Sequence, residues 1–204
     1  MPVLTVEDLD LARGGRRLAR GLAFSLAGGE ALVVTGPNGA GKSTLLRALA
    51  GLLPPAAGRV ALTGAGIAAD DPPGVHAHYL GHADALKAAL TARENLAFWA
   101  GVLGGGTVGP LAALEALGLD HAADLPVAWL SAGQKRRVAL ARLLVAERPL
   151  WILDEPATAL DAAAQTRLAE IMARHRSGGG LIVAATHAPL GLEDARELRL
   201  GAAA

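Results

Sequence analysis

The sequence of 204 residues lacks several features, and each absence excludes a class of protein. It contains no cysteine, which excludes disulfide bonds and thiolate metal sites. Its 19 Lys and Arg residues balance 19 Asp and Glu residues, so we expect no charged surface that attracts nucleic acid or an anionic membrane. No apolar run reaches the ~18 residues of a membrane-spanning helix, and the first eight residues lack the pattern of a signal peptide. We therefore expect one cytosolic domain with a substantial core, which reaches a membrane only through a partner.

A glycine-rich segment is the first feature that indicates chemistry. Residues 36–43 fit the pattern G-x-x-x-x-G-K-[ST], between a short apolar strand over 31–35 and a helical segment over 44–50. Glycines let the backbone curl so that its N–H groups point at phosphate oxygens, and the helix N-terminus adds positive potential. Lys42 is expected to contact the β- and γ-phosphates, and Ser43 to offer a hydroxyl to Mg²⁺. The predicted nucleotide-binding residues are Gly36, Pro37, Asn38, Gly39, Ala40, Gly41, Lys42, Ser43 and Thr44.

An acidic pair follows a second apolar run, Leu150-Trp151-Ile152-Leu153. This pattern predicts a central parallel strand that delivers Asp154 and Glu155 to its C-terminal end. Adjacent side chains on a strand point to opposite sides, so the two carboxylates are expected to have different roles. We expect Asp154 to hold Mg²⁺, directly or through water, and Glu155 to polarise an attacking water molecule.

A five-residue segment lies between these two features: Leu130, Ser131, Ala132, Gly133 and Gln134. Ser131 is predicted to cap a helix that runs from about residue 132 to residue 145. Gly133 leaves its N–H open to an anion, so the start of this helix is a second candidate phosphate site.

The order of these segments resembles that of the nucleotide-binding subunits of ATP-binding cassette (ABC) transporters, over essentially the whole chain. The resemblance implies an α/β P-loop NTPase fold with a RecA-like parallel sheet core, an N-terminal antiparallel β subdomain and an inserted helical subdomain. It implies ATP hydrolysis with Mg²⁺, in a head-to-tail dimer in which residues 130–134 contact the nucleotide of the other protomer. It also assigns Asp161 to the D-loop, and His187 to contact with the γ-phosphate and orientation of Glu155 and water.

The segment from about residue 83 to residue 125 is predicted to be helical. Thr91 begins a capping box with Glu94, and Pro110 begins a further helix. Phe98 and Trp99 are predicted to pack in the core rather than against a membrane partner. The predicted organisation is one domain over 1–204, with about 83–145 as the helical subdomain and about 1–82 and 146–204 as the β and core subdomains.

One departure from the family pattern narrows the resemblance. His82 stands where these proteins have the glutamine of the Q-loop, and the segments around it are similar to the ATP-binding subunits of haem exporters in cytochrome c maturation. The resemblance then implies integral membrane subunits as partners, a peripheral position on the cytoplasmic side of the bacterial inner membrane, and no nucleic-acid partner. Imidazole is a poorer Mg²⁺ ligand than an amide oxygen, so His82 is expected to act through water or in coupling.

Two smaller questions concern ligands. No aromatic residue occurs in residues 1–23, where family members often stack adenine, so Arg13 or Arg16 is the candidate for that contact. His76, His78 and His82 could form a metal or haem cluster, but no cysteine or nearby acid completes a ligand set. We interpret these three as ordinary surface histidines.

Other functions remain open. One is an ABC ATPase subunit that transports another substrate. Another is a soluble cassette ATPase without a transport role, although the second cassette or the coiled-coil insertion of such proteins is absent from this sequence. A third is a binding module that has lost catalysis. The presence of Lys42, Asp154, Glu155 and His187 argues against it.

Overall fold

An antiparallel sheet of three strands forms the N-terminal part of the protein, in a computed structural model that describes residues 1–68, 70–192 and 194–201. Strands β1 (Val3–Arg13) and β2 (Arg16–Ala27) form a hairpin, and β4 (Ala57–Thr63) pairs with the other edge of β1. Gly14 and Gly15 form the turn with φ values of 56° and 75°, the left-handed conformations that a tight two-residue hairpin turn requires. The antiparallel sheet that the family resemblance implied for the N-terminal part is confirmed.

A five-stranded parallel sheet forms the centre of the molecule. Its strands are β3 (Ala31–Thr35), β5 (Ala77–Leu80), β6 (Leu150–Asp154), β7 (Leu181–Ala185) and β8 (Arg196–Arg199). Their order across the sheet is β5-β6-β7-β3-β8, and every pairing is parallel. All residues of β6 and β7 are buried, as expected for strands covered on both faces. The predicted fold class is confirmed.

Alternate residues of the central strands face two different hydrophobic clusters. Leu150 and Ile152 pack in the cluster shared with the antiparallel sheet, whereas Trp151 and Leu153 pack in the cluster shared with the inserted helices. The parallel sheet therefore lies between the β layer and the helical layer.

In the part of the chain that the structure describes, five α-helices pack around the sheets: α1 (Lys42–Leu49), α2 (Ala92–Leu103), α3 (Pro110–Ala116), α4 (Ala132–Val145) and α5 (Ala162–Ser177). Short 3₁₀ turns span Pro73–His76, Asp120–Ala122 and Val127–Trp129. The predicted capping box begins α2 at Thr91. Ser131 caps α4 as predicted, and it does so in a second capping box with Gln134. The side chain of Asp161 caps α5 by accepting the backbone N–H of Ala164. Among the described residues, no helix has both the length and the apolarity to cross a bilayer.

Two predictions about the inserted segment are wrong in part. Residues 83–91 are not helical, because Asn95 holds this loop instead: its side chain bonds the backbone of Lys87, Leu90 and Thr91. Phe98 was expected in the core, but it is 40% exposed and lies under the ammonium group of Lys87. The sequence of β8 has no alternation of apolar and polar residues that predicts a strand. It is a strand because it pairs with β3 at the edge of the sheet.

Candidate functional site

The phosphate loop and several other predicted site residues converge at one edge of the parallel sheet. The phosphate loop follows β3, His82 follows β5, Glu155 follows β6 and His187 follows β7. All of these strands are parallel, so their carboxyl ends meet at the same edge. A cleft of about 460 Å³ opens there and is lined by Arg13, Leu18, Asn38, Gly39, Gly41, Lys42, Ser43, Thr44, His82, Asp154 and Glu155.

The phosphate loop depends on glycine at two of its positions. Gly36 has a φ of 137°, and a Cβ there would collide with the carbonyl oxygen of Leu200 in the segment after β8. Gly41 has a φ of 104° and caps α1 in a left-handed conformation, with Leu18 packed against it. The loop therefore leads directly into the N-terminus of α1, where backbone N–H groups and the helix dipole favour an anion.

Lys42 is folded back over the loop. Its Nζ donates to the carbonyl oxygen of Gly36 at 2.7 Å and to that of Pro37 at 3.3 Å. It also lies 3.2 Å from Nε2 of His187, which accepts if its proton is on Nδ1. The ammonium group thus joins the loop after β3 to the loop after β7.

The two carboxylates after β6 have different surroundings. Asp154 is 6% exposed and ends the strand, whereas Glu155 has a φ of 47° and turns its side chain toward His187. The Oε1 atom of Glu155 lies 3.8 Å from Nε2 of His187, and its Oε2 accepts the backbone N–H of His187 at 3.4 Å. A non-glycine residue at positive φ carries strain of about 1 kcal/mol or more, which the surrounding contacts must hold.

Arg136 supplies those contacts from the second turn of α4. The residue is 4% exposed, and its Nη2 donates to the carbonyl oxygens of Asp154 at 2.9 Å and Glu155 at 2.8 Å. Its Nη1 donates to the carbonyl oxygen of Gly81 at 3.0 Å and pairs with Asp84 at the same distance. Its Nε donates to the carbonyl oxygen of Pro156 at 3.3 Å. One buried guanidinium thus joins α4, the acidic strand end and the loop that carries His82.

The segment before α4 presents Ser131 to solvent. The Oγ atom of Ser131 accepts the backbone N–H of Gln134 at 3.2 Å, and Oε1 of Gln134 accepts the backbone N–H of Ser131 at 2.8 Å. The hydroxyl proton of Ser131 is still available to an anion. Leu130 points inward and is 4% exposed, so only its backbone could reach a ligand.

Gly133 packs against the loop after β6. A Cβ on Gly133 would lie 2.7 Å from the carbonyl oxygen of Ala159, a residue that itself has a φ of 63°. Nothing from residues 130–134 lines the cleft of the same chain, nor does Asp161, whose Oδ1 accepts the backbone N–H of Ala164 at 2.8 Å. Within one protomer, the two candidate phosphate sites are therefore separate.

The three histidines once considered as a cluster have three different environments. The interpretation as surface residues is wrong for His78, which is 2% exposed and donates from Nε2 to the carbonyl oxygen of Ala146 at 2.8 Å. Burial lowers the pKa of His78 to about 4. His76 has an acidic neighbour that the sequence reading missed, since its Nε2 lies 2.7 Å from Oδ2 of Asp71. His82 is exposed and lines the cleft.

Sequence reasoning missed two residues of the site, Arg136 and Leu18. For Arg136 a signal was present: positions 136, 139, 140 and 143 form one buried stripe of α4, and a charge in such a stripe must have partners. For Leu18 there was none, because it reaches the cleft only through the pairing of β1 with β2. Of the two arginines considered for adenine, Arg13 lines the cleft beside Leu18.

Comparison with known proteins identifies the family. The ABC transporter family matches residues 19–158. The chain belongs to the ABC transporter family. It is 56% identical over 201 residues to the "Cytochrome c biogenesis ATP-binding export protein CcmA" of Rhodopseudomonas palustris strain BisB5, covering 98% of this chain and 99% of that protein. It is 54% identical to the protein of the same name from Chelativorans sp. strain BNC1, over 98% of each chain.

Solved structures agree with this ABC transporter assignment. A putative ABC transporter ATP-binding protein from Pyrococcus furiosus superposes with a TM-score of 0.81 over 97% of each chain, and its 22% identity supports the fold alone. An ATP-binding subunit of an ABC transporter superposes with a TM-score of 0.83 at 27% identity, over 97% of this chain and 85% of that one. The prediction of an ATP-hydrolysing transporter subunit is confirmed, and so is the resemblance to the cytochrome c biogenesis subfamily.

Proposed function

We propose that this chain is the ATP-hydrolysing subunit of a cytochrome c biogenesis exporter, and that it couples ATP hydrolysis to haem export or to release of a haem-loaded chaperone. The observation that carries the ATPase part is the cleft in which the phosphate loop, Asp154, Glu155 and His82 meet. Support for the exporter part comes from the relatives named for that process, which match this chain over nearly its full length.

Binding of the triphosphate would use residues 36–44. Backbone N–H groups of the loop and of the start of α1 face the phosphates, and Lys42 exchanges its contacts with the carbonyls of Gly36 and Pro37 for phosphate oxygens. Arg13 and Leu18 stand at the cleft wall as the candidates for contact with the base within the same chain.

Ser43 and Asp154 fit a Mg²⁺ ion. Both line the cleft, and both offer the oxygen atoms that this ion prefers. When bound, Mg²⁺ neutralises charge on the phosphates. His82 lies on the same cleft and acts through water or as a coupling residue.

Glu155 and His187 would act on the attacking water. Glu155 is the general base, because its carboxylate lies in the cleft at the end of β6. His187 lies within contact distance of both Lys42 and Glu155, so it can orient the carboxylate and contact the γ-phosphate. Arg136 positions the base by holding the backbone of Glu155 and Asp154.

A second copy of the chain would complete the site. The segment before α4 does not line the cleft of its own chain. It would instead close on the nucleotide of the partner, through Ser131, Ala132, Gly133, Gln134 and the backbone of Leu130. Asp161 would lie at the same interface. Such a head-to-tail dimer excludes water and strengthens each charge contact with the phosphates. The assembly would bind integral membrane subunits and lie peripherally on the cytoplasmic side of the bacterial inner membrane.

The substitution Glu155→Gln tests this function. We expect the variant to bind ATP with Mg²⁺, to lose turnover and to accumulate dimers, because the water loses its base while the phosphate contacts remain. Gel filtration with ATP and an assay of phosphate release measure both effects, and Thr166→Ala on the exposed face of α5 is a matched control. A monomer at saturating ATP would contradict the dimer.

A separate experiment tests the exporter part of the proposal. The chain is purified from membranes together with its bound subunit, and the subunit and any bound haem are identified.

A further inference from the structure

Trp129 is an unusually exposed aromatic residue. Its side chain is 75% exposed, although the whole chain has only 3 Trp, 2 Phe and 1 Tyr. It ends the 3₁₀ turn Val127–Trp129, and its backbone N–H donates to the carbonyl oxygen of Pro126 at 2.9 Å. The turn is therefore fixed, and the indole ring is presented to solvent from an ordered backbone.

Trp129 and Ser131 flank Leu130 in the chain, and both are exposed to solvent. Leu130 is extended, with φ −76° and ψ 144°, and Ser131 is extended as well, with φ −62° and ψ 164°. Leu130 is 4% exposed and points into the core. The Cα atoms of Trp129 and Ser131 are about 7 Å apart at most. An aromatic ring thus flanks the hydroxyl that is proposed to bind a phosphate.

The cleft lacks an aromatic residue for the base. Of the described residues that line it, none is Phe, Tyr or Trp, and the wall near the hairpin β1–β2 is formed by Arg13 and Leu18. A purine has two flat apolar faces, and this wall covers one of them at most. The other face is left for a group that arrives with the second protomer.

We propose that Trp129 stacks on the purine of the ATP molecule held by the partner protomer. The proposal rests on the head-to-tail dimer of the proposed function. When Ser131 meets the γ-phosphate across the interface, two residues of extended chain and an indole side chain reach back along the nucleotide toward the ribose and base. The purine would then lie between the wall of Arg13 and Leu18 in one chain and Trp129 of the other, so the dimer would select purine nucleotides.

Stacking predicts a purine-specific loss on removal of the ring. In a Glu155→Gln background, the ATP concentration for half-maximal dimerisation should rise about tenfold in Trp129→Ala, and much less in Trp129→Phe, because each base–aromatic stack contributes substantially to binding. With CTP in place of ATP, the change should be smaller, since a pyrimidine offers less stacking surface. Sedimentation velocity over a nucleotide titration measures each midpoint.

Fluorescence gives an independent measurement. ATP should quench the tryptophan emission of the Glu155→Gln chain as dimers form, and Trp129→Phe should remove that change although Trp99 and Trp151 remain. Phe98→Leu is the matched control: it alters another exposed aromatic side chain of the helical layer, and we expect unchanged midpoints.

Each outcome separates the inference from the function on which it rests. If the Glu155→Gln chain dimerises with ATP, and Trp129→Ala shifts neither its midpoint nor its preference for ATP over CTP, the stacking proposal is wrong and the proposed function stands. Equal weakening with ATP and CTP would mean that Trp129 is a general dimer contact, which also overturns the proposal. If the Glu155→Gln chain stays monomeric with ATP, the head-to-tail dimer itself is wrong.

Discussion

The Nη2 atom of Arg136 donates to the carbonyl oxygen of Glu155 at 2.8 Å, across the boundary between α4 and the central sheet. The same nitrogen also holds the carbonyl oxygen of Asp154, so one side chain fixes both peptide groups of the acidic pair. Glu155 has a φ of 47°, a conformation that a glutamate adopts only when its surroundings impose it. Arg136 therefore holds the backbone from which the carboxylate of Glu155 projects.

The substitution Arg136→Lys should reduce turnover more than nucleotide binding. Lysine keeps the positive charge but cannot donate in a fork, so several of the carbonyl contacts are lost. We expect kcat to fall about tenfold or more while the KM for ATP changes little, because the phosphate loop does not contact Arg136. Steady-state kinetics and a thermal melt check this. Arg137→Lys is the neighbouring control, since among the described residues Arg137 bonds only the carbonyls of Leu117 and Gly118. A pure rise in KM would contradict the positioning role.

Lys42→Ala should weaken ATP binding itself. The ammonium group is the only side-chain cation donating to carbonyls of the phosphate loop among the described residues, and its loss removes a charge-assisted contact with the phosphates. We expect the Kd for ATP to rise tenfold or more, an order of magnitude typical of one such contact. Isothermal titration with Mg²⁺-ATP measures it. An unchanged Kd would refute the role given to Lys42.

His82→Gln should leave ATP affinity within a factor of about ten. His82 lines the cleft from an exposed position on the loop after β5, and the phosphates are proposed to bind residues 36–44 instead. Turnover by the isolated chain and its stimulation by the membrane subunits are to be compared, because a coupling residue affects the second more than the first. A larger loss of affinity in the variant would show that His82 contacts the nucleotide or its metal directly.

Acid should destabilise the fold through His78. Burial lowers its pKa from 6.5 to about 4, so the unfolded chain takes up a proton at a higher pH than the folded chain. The neutral imidazole of His78 makes its full contribution to the free energy of unfolding above pH 6.5, and this contribution is lost as the pH falls toward 4. At pH 5 the free energy of unfolding is lower by about 2 kcal/mol. His175, whose pKa burial also lowers to about 4, adds to this effect.

The variant His78→Gln isolates that contribution. Glutamine keeps an N–H donor for the carbonyl of Ala146 but does not titrate in this range. Chemical denaturation at pH 7.5 and pH 5 should show that the free energy of unfolding depends less on pH in the variant than in the parent. Equal pH dependence of the two proteins would exclude His78 as a source.

The outline of the site could be predicted from the sequence because its residues are close to one another along the chain or follow a strand pattern. The phosphate loop is a continuous segment whose glycines, lysine and serine each have a local reason, and Asp154 and Glu155 end a fully apolar strand. Capping by Ser131 and Thr91 was likewise predictable, because a capping box involves residues only three positions apart.

Other features depend on contacts between distant segments. His78 lies on a short strand whose pattern resembles a surface turn, and it is buried only because β5 pairs with β6 and Ala146 covers it. Phe98 lies on an apolar face that the packing of α2 leaves partly exposed. The predicted boundaries of the subdomains at about residues 82 and 146 stay a prediction.

By itself, the sequence determined the phosphate loop, the parallel α/β fold and the order of the family's segments, since strand and helix periods and glycine positions are local properties of the chain. Only the tertiary structure decided that Arg136 joins Gly81, Asp84 and Glu155. It also decided that Leu18 and Arg13 form one wall of the cleft and that the side chain of Trp129 is exposed to solvent. The physical reason is that burial and hydrogen bonding across 18 to 55 positions of sequence depend on how the strands and helices pack, which no local pattern encodes.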